Sequence, residues 1–227
     1  MKRKSLLLSV ATLLIALISV GQNKTTEKVK QVKIGSQIWM AENLNTSTFS
    51  NGSLIPQASN DNEWEKALDS EKPVWCFYEF DTPIGSTYGK LYNWYAVNDS
   101  RGLCPKGWHI PSEKDWRVLF DYNGGDAVAG AKLKAAGRWN DESSDATNES
   151  GFAALPGGSR YNRNGFDQQE GYKGYYWSST SLNDGQKNSD GSDASSAWLY
   201  ELSSGKKNVR KFDAYKSASN SVRCIKD

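Results

Sequence analysis

Histidine is nearly absent from this 227-residue chain, where His109 stands alone. Zinc sites of the common histidine-rich kind are thereby excluded, and any Ser-His-acid arrangement would rest on that one residue. Placed between Trp108 and Ile110 and without a partner of suitable type, it reads as a structural residue joining a turn to a helix. Methionine is scarce too, with two residues against nine tryptophans, eleven tyrosines and 20 glycines. That balance argues against a helix-rich interior and for a loop-rich domain with an aromatic core. No repeat of solenoid or propeller period is present. Long apolar runs are missing as well: Leu6 to Val20 is about 15 residues, short of the roughly 20 that span a bilayer.

That run follows Lys2, Arg3 and Lys4 and precedes Gly21, the pattern of a secretory signal peptide over residues 1–21. No cysteine lies near the cleavage point, so a lipid-modified terminus is not expected. Removing the segment takes three cations and no acid, and the formal charge falls from +2 to −1. The basicity therefore belongs to targeting and gives no argument for nucleic acid or acidic lipid as partner. We expect a secreted, cell-surface or periplasmic protein, in an oxidising setting where disulfides persist. Residues 22–31 read as a flexible leader and 32–227 as a single domain.

Along the domain, Val32, Ile34, Ile38 and Met40 alternate around Gly35-Ser36, a hairpin pattern. Glu63 to Leu68 suits a short helix, Val74 to Phe80 is β-prone, and Leu91, Trp94 and Tyr95 share helical spacing within Tyr88 to Val97. Ser112 and Asp115 have the spacing of a capping box, so a helix should start there with Trp116, Leu119 and Phe120 as its apolar stripe. A small-residue helix from about Asp126 to Ala136 should stop at Gly137. Five short runs then read as antiparallel strands: Phe152–Leu155, Tyr175–Thr180, Ala197–Leu202, Val209–Phe212 and Ser221–Ile225. In the third, Trp198, Tyr200 and Leu202 alternate with Leu199 and Glu201, which predicts one buried and one half-wet face. The class is α+β, with a sheet to receive the Trp116 stripe. Asn183 to Ser196 reads as a polar loop.

Three cysteines in an exported chain leave one thiol over, and spacing alone does not assign the pair. We expect Cys104–Cys224, which would close about 120 residues and stabilise by roughly 4–5 kcal/mol on the loop-entropy account. Cys76, among Trp75, Phe77 and Tyr78, would remain a buried apolar thiol.

The segments VKIGSQIWMAENL (Val32 to Leu44), YGKLYNWYAV (Tyr88 to Val97), LCPKGWHIPSEKDW (Leu103 to Trp116), GFAALPGGSR (Gly151 to Arg160), GYYWSSTS (Gly174 to Ser181) and SVRCIK (Ser221 to Lys226) resemble, in order, the Fibrobacter succinogenes major paralogous domain. The resemblance implies a C-type-lectin-like fold: a twisted antiparallel sheet, two helices and long irregular loops. It also implies an outline similar to the sulfatase-modifying, formylglycine-generating group, which works through a reactive cysteine pair. With Cys104 and Cys224 joined, Cys76 alone cannot supply that chemistry, and no catalytic residue is expected.

Trp139-Asn140-Asp141 spells the W-N-D triplet of calcium-dependent lectins, but it follows the second helix instead of preceding the last cysteines, and no E-P-N or Q-P-D accompanies it. Asn188, Asp190, Gly191 and Asp193 fail the EF-hand pattern at Gln186 and Ala197. No cofactor is expected; an irregular oxygen-lined calcium site is left open, without a motif to support it. Gly157-Gly158-Ser159-Arg160 lacks the ending of a P-loop and reads as a tight turn bringing backbone close to the aromatic sheet. Beyond it, Arg160, Tyr161, Asn162 and Asn164 should project from a loop near Trp139. Aromatic faces flanked by amides and a guanidinium suit sugar rings, whose C–H faces stack while hydroxyls find partners. These residues, in loops 137–166, are the expected ligand site of a non-enzymatic domain engaging glycan or protein. An enzyme related to the formylglycine-generating group and a purely structural envelope protein are the alternatives.

Overall fold

The computed structural model describes residues 29–140, 145–161, 165–182 and 195–227. The expected signal segment, most of the leader, Asp141, Asn162, Asn164 and most of the polar loop from Asn183 lie outside them.

Strands β1 (Gln31–Ile34) and β2 (Gln37–Met40) form the expected hairpin, in register Val32↔Trp39 and Ile34↔Gln37. Its turn needs glycine: Gly35 has φ +59°, and a Cβ there would stand 2.7 Å from the Tyr122 ring. Helix α1 (Asp61–Asp69) begins where the Asn60 side chain accepts from the Glu63 N–H. The run Val74 to Phe80 holds only the short β3 (Trp75–Cys76) before a tight turn, and α2 (Thr82–Tyr88) follows, capped by Asp81. Tyr88 to Val97, read as helix, divides instead into β4 (Leu91–Asn93) and a single turn, α3 (Trp94–Val97). Asn93 is the reason. Its side-chain oxygen accepts from both the Ala96 and the Val74 N–H groups, so it caps the turn while extended and anchors β4 beside β3.

After β5 (Trp108–His109), helix α4 (Glu113–Tyr122) starts as its capping box requires: the Ser112 oxygen accepts from the Asp115 N–H and the Asp115 carboxylate accepts from the Ser112 N–H. Helix α5 (Asp126–Leu133) uses its small residues for a close approach. A Cβ on Gly130 would meet the carbonyls of Lys207 and Asn208 at 2.7 Å. Then come β6 (Arg160–Tyr161), β7 (Gly165–Phe166), β8 (Lys173–Ser181), β9 (Ser196–Ser203), β10 (Val209–Tyr215), β11 (Ser219–Asn220) and β12 (Ile225–Lys226). Phe152–Leu155 is not a strand but makes one bridge, between Ala154 and Lys134. Of the expected last strand, Ser221–Ile225, only Ile225 lies in a strand, β12; Ser221 makes a single bridge to Tyr176, and β11 precedes it in a different sheet.

Among the described residues the class is α+β, with three antiparallel sheets ordered β1-β2-β12-β5, β10-β9-β8 and β3-β4-β11-β6-β7. The final strand thus lies between the first hairpin and the strand leading into α4. Cys104 and Cys224 are joined across it, with Cα atoms 6.1 Å apart.

The β8–β10 sheet is packed on both faces. On one, Tyr176, Tyr200, Leu202 and Val209 meet the α4 stripe; Trp116 lies 5.2 Å from Tyr200 and 5.0 Å from Trp39, centroid to centroid. On the other, Tyr175, Trp177 and Leu199 join Trp94, Tyr92 and the disulfide in a second cluster. The half-wet face expected of β9 is therefore a correction: a sheet between two cores has no wet face except where a core ends. Each such aromatic pair adds about 0.5–1.5 kcal/mol beyond its buried area.

Candidate functional site

The second core ends at one edge of this sheet, and a cleft of about 760 Å³ opens there, within the rough 300–1,000 Å³ range of small-ligand sites. Strand period and register dictate its floor. Glu201 and Ser203 share a face of β9, Arg210 stands directly opposite Glu201 on β10, and Lys173 pairs with Ser203 from β8. Glu201 is 3% exposed. One of its carboxylate oxygens accepts from the Ser203 hydroxyl at 2.8 Å and from Arg210 at 3.2 Å, and the other lies 3.5 Å from the Lys173 ammonium. Arg210 and Lys173 both reach water, so this buried carboxylate is neutralised by side chains free to exchange partners.

One wall is the loop carrying Gln168, Gln169 and Tyr172. Asp167 anchors it, accepting from the Ser159 N–H and hydroxyl and from the Gln169 N–H at 3.1–3.2 Å. Gly171 (φ +81°) lies so close to Asn140 that a Cβ would fall 1.9 Å from the Asn140 amide. Tyr172, at the rim, is 49% exposed. The opposite wall is the β9–β10 turn with Ser204, Lys206 and Asn208. Lys134, fully buried, holds this turn from beneath, donating to the carbonyls of Ser203 and Lys206 at 2.9 Å and to Asp145. Together these groups line the cleft with an aromatic face, three amides, two serine hydroxyls, one carboxylate and three cations.

The model of the Fibrobacter succinogenes major domain matches residues 32–226, nearly all of the described chain. The chain belongs to that family. Neither a curated protein nor a solved structure matches it.

Within this Fibrobacter major domain the residues expected to bind ligand are dispersed. Trp139, expected on a loop with its face to solvent, is 6% exposed and packs in the same cluster as Trp116 and Phe152. The chain turns back at Gly137 (φ +67°), the Asn140 N–H donates to the Gly171 carbonyl, and the Lys134 ammonium sits 5.4 Å over the Trp139 ring. Trp139 thus backs the cleft instead of lining it. Arg160 is a second correction: it is 1% exposed, with its guanidinium 5.0–5.4 Å from the rings of Trp64, Phe80 and Phe166 and an ion pair to Asp61 at 2.8 Å. Pairing of β6 with β11 and β7 turns it inward and leaves its neighbour Tyr161 outward, 47% exposed. The turn before it is as expected, with Gly158 (φ +62°) packed so closely on Tyr78 that a Cβ would lie 2.5 Å from the ring.

His109 pairs with Ile225 in the β5–β12 ladder, and its Nδ1 lies 2.7 Å from an Asp227 carboxylate oxygen at the surface. Cys76 is buried and free, and burial pushes its thiol up to about 12. Among the described residues no three His, Cys, Asp or Glu side chains gather as a metal site, and no helix is long and apolar enough to cross a membrane.

Lys173, Glu201 and Arg210 escaped sequence reasoning because their convergence is set by register across three strands. One signal was there: Glu201 is the single acid in the run AWLYELS, and an acid inside an aromatic strand marks a place where the core gives way.

Proposed function

We propose that the protein is an exported, non-enzymatic binding domain of C-type-lectin-like fold that holds a glycan in the cleft between Tyr172 and the β9–β10 turn. The observation that carries this reading is the buried Glu201 carboxylate lining one cleft with an exposed aromatic ring and three amides. A sugar ring presents C–H faces for stacking and hydroxyls that both donate to a carboxylate and accept from amides and ammonium groups. The alternative reading, an enzyme of the formylglycine-generating type, needs a reactive thiol pair. Two of the three cysteines are bonded here, and the third is held protonated by burial, the opposite of an activated nucleophile.

A glycan array followed by titration calorimetry tests the proposal. Tyr172→Ala should weaken binding of whichever glycan is retained by about threefold to tenfold, in line with about 0.5–1.5 kcal/mol for a stacked ring. Binding that is unaffected by Tyr172→Ala and by Gln169→Ala would place the ligand elsewhere. The signal for export is tested separately, by N-terminal sequencing of the mature protein for a start near Gln22.

A further inference from the structure

The cleft carries more positive charge than its floor requires. Lys173, Lys206 and Arg210 line it, and Glu201 is its one acid. Around it the β9–β10 hairpin, Ser203 to Lys211, brings Lys206, Lys207, Arg210 and Lys211 together in a chain whose cations and acids otherwise nearly cancel, 28 against 26. Two of these four are committed: Arg210 to Glu201, and Lys211 to Glu113, with its ammonium 3.7 Å over the Trp198 ring. Lys206 and Lys207 are both exposed and have no ion-pair partner among the described residues. The Lys206 backbone is held by Lys134 and by the turn to Ser203, so the residue bearing the surplus charge is anchored at the lip of the cleft.

We infer that the ligand is an acidic glycan, whose uronate or sulfate group meets Lys206 while a neighbouring ring stacks on Tyr172 and gives its hydroxyls to Glu201. This rests on the glycan reading above and narrows it. A neutral sugar would satisfy Tyr172 and Glu201 and leave the lip charge unmatched. An acidic peptide would match the lip but set further carboxylates against Glu201 with no hydroxyl to donate. An anionic sugar answers both requirements, because positive lip and negative floor are presented to different parts of one ring system.

The test is calorimetry on the oxidised full chain with a galacturonate trisaccharide, a sulfated disaccharide, the matching neutral oligosaccharides and a Glu-rich peptide, at low and at physiological salt. The acidic sugars should bind about tenfold tighter than neutral ones at low salt, roughly one charge-assisted hydrogen bond, and the advantage should shrink as salt rises. Preference for uronate over sulfate, or the reverse, identifies which anion the lip takes. Lys206→Gln should remove most of that advantage, weakening acidic sugars more than neutral ones, and Tyr172→Ala should weaken both classes. Equal affinity for acidic and neutral sugars, both sensitive to Tyr172→Ala, would overturn the acidic preference and leave the glycan reading standing. Binding of the peptide alone, or of nothing, would overturn both.

Discussion

Of the charges this molecule buries, Arg223 and Glu201 are held in opposite ways. Arg223, next to the disulfide, is fully enclosed: its guanidinium donates to the carbonyls of Met40 and Phe152 and to the Asn43 side-chain oxygen, and lies 4.4 Å over the Phe152 ring. Desolvation pulls it down to about 10, yet the groups it touches are backbone carbonyls, the Asn43 side chain and the buried Phe152 and Tyr176 rings. Glu201, at the far end of the β8–β10 sheet, is nearly as hidden, but its charged partners are the solvent-reaching tips of Arg210 and Lys173. A charge surrounded by backbone carbonyls serves the fold, because nothing can take its place without unfolding. A charge neutralised by solvent-reaching side chains can trade them for a ligand. Only the second kind of site is suited to recognition.

The largest effects should come from the junction. Replacing both Cys104 and Cys224 by serine should cost about 4–5 kcal/mol, read as a lower urea midpoint, since it frees a loop of 120 residues. Arg223→Met should cost about 3–5 kcal/mol by leaving two carbonyls and the Asn43 oxygen without a donor. A loss under about 1 kcal/mol would show that these acceptors find other partners and would dissolve the contrast with Glu201.

Alkali should act through Cys76. Its folded thiol is raised to about 12 from an ordinary 9.0, so the folded state holds a proton that the unfolded chain releases above pH 9. Stability is then fully present well below pH 9 and lost as the pH rises toward 12, with a slope approaching about 1.4 kcal/mol per unit. Tyr78 and Tyr88, both raised to about 12, add the same sign above pH 10. Cys76→Ala should flatten the curve between pH 8 and 9, where the raised tyrosines contribute least; an unchanged slope there would mean the thiol is not the cause.

The smallest effect belongs to the cleft. Glu201→Gln should cost only about 1–2 kcal/mol, because Arg210 and Lys173 can turn to water, while glycan affinity falls at least tenfold. A stability loss as large as that of Arg223→Met would make Glu201 a second structural anchor and remove the reason to regard the cleft as a site.

Much of the frame was legible residue by residue. Ser112 and Asp115 announced the start of α4, Gly35 the first hairpin, the alternating aromatics β8 and β9, and Cys104 and Cys224 the tie between middle and end. Each is a local signal, or a pairing with few alternatives. Asn93 was not legible, since its two backbone bonds join segments nearly 20 residues apart, and Tyr88 to Val97 was read as helix for that reason. Trp139 was misplaced because one tryptophan in a loop has no periodicity to say which way it faces.

By itself the sequence determined the α+β class, the ordered motifs that place the chain in its family, the capped helix and its apolar stripe, for these depend on neighbours within a turn or on the period of a strand. Tertiary structure alone decided that the central sheet is packed on both faces, that Trp139 and Arg160 turn inward, and that Lys173, Glu201 and Arg210 converge. Those outcomes depend on register between strands and on where a core runs out of apolar side chains, and neither quantity is carried by any single stretch of the chain.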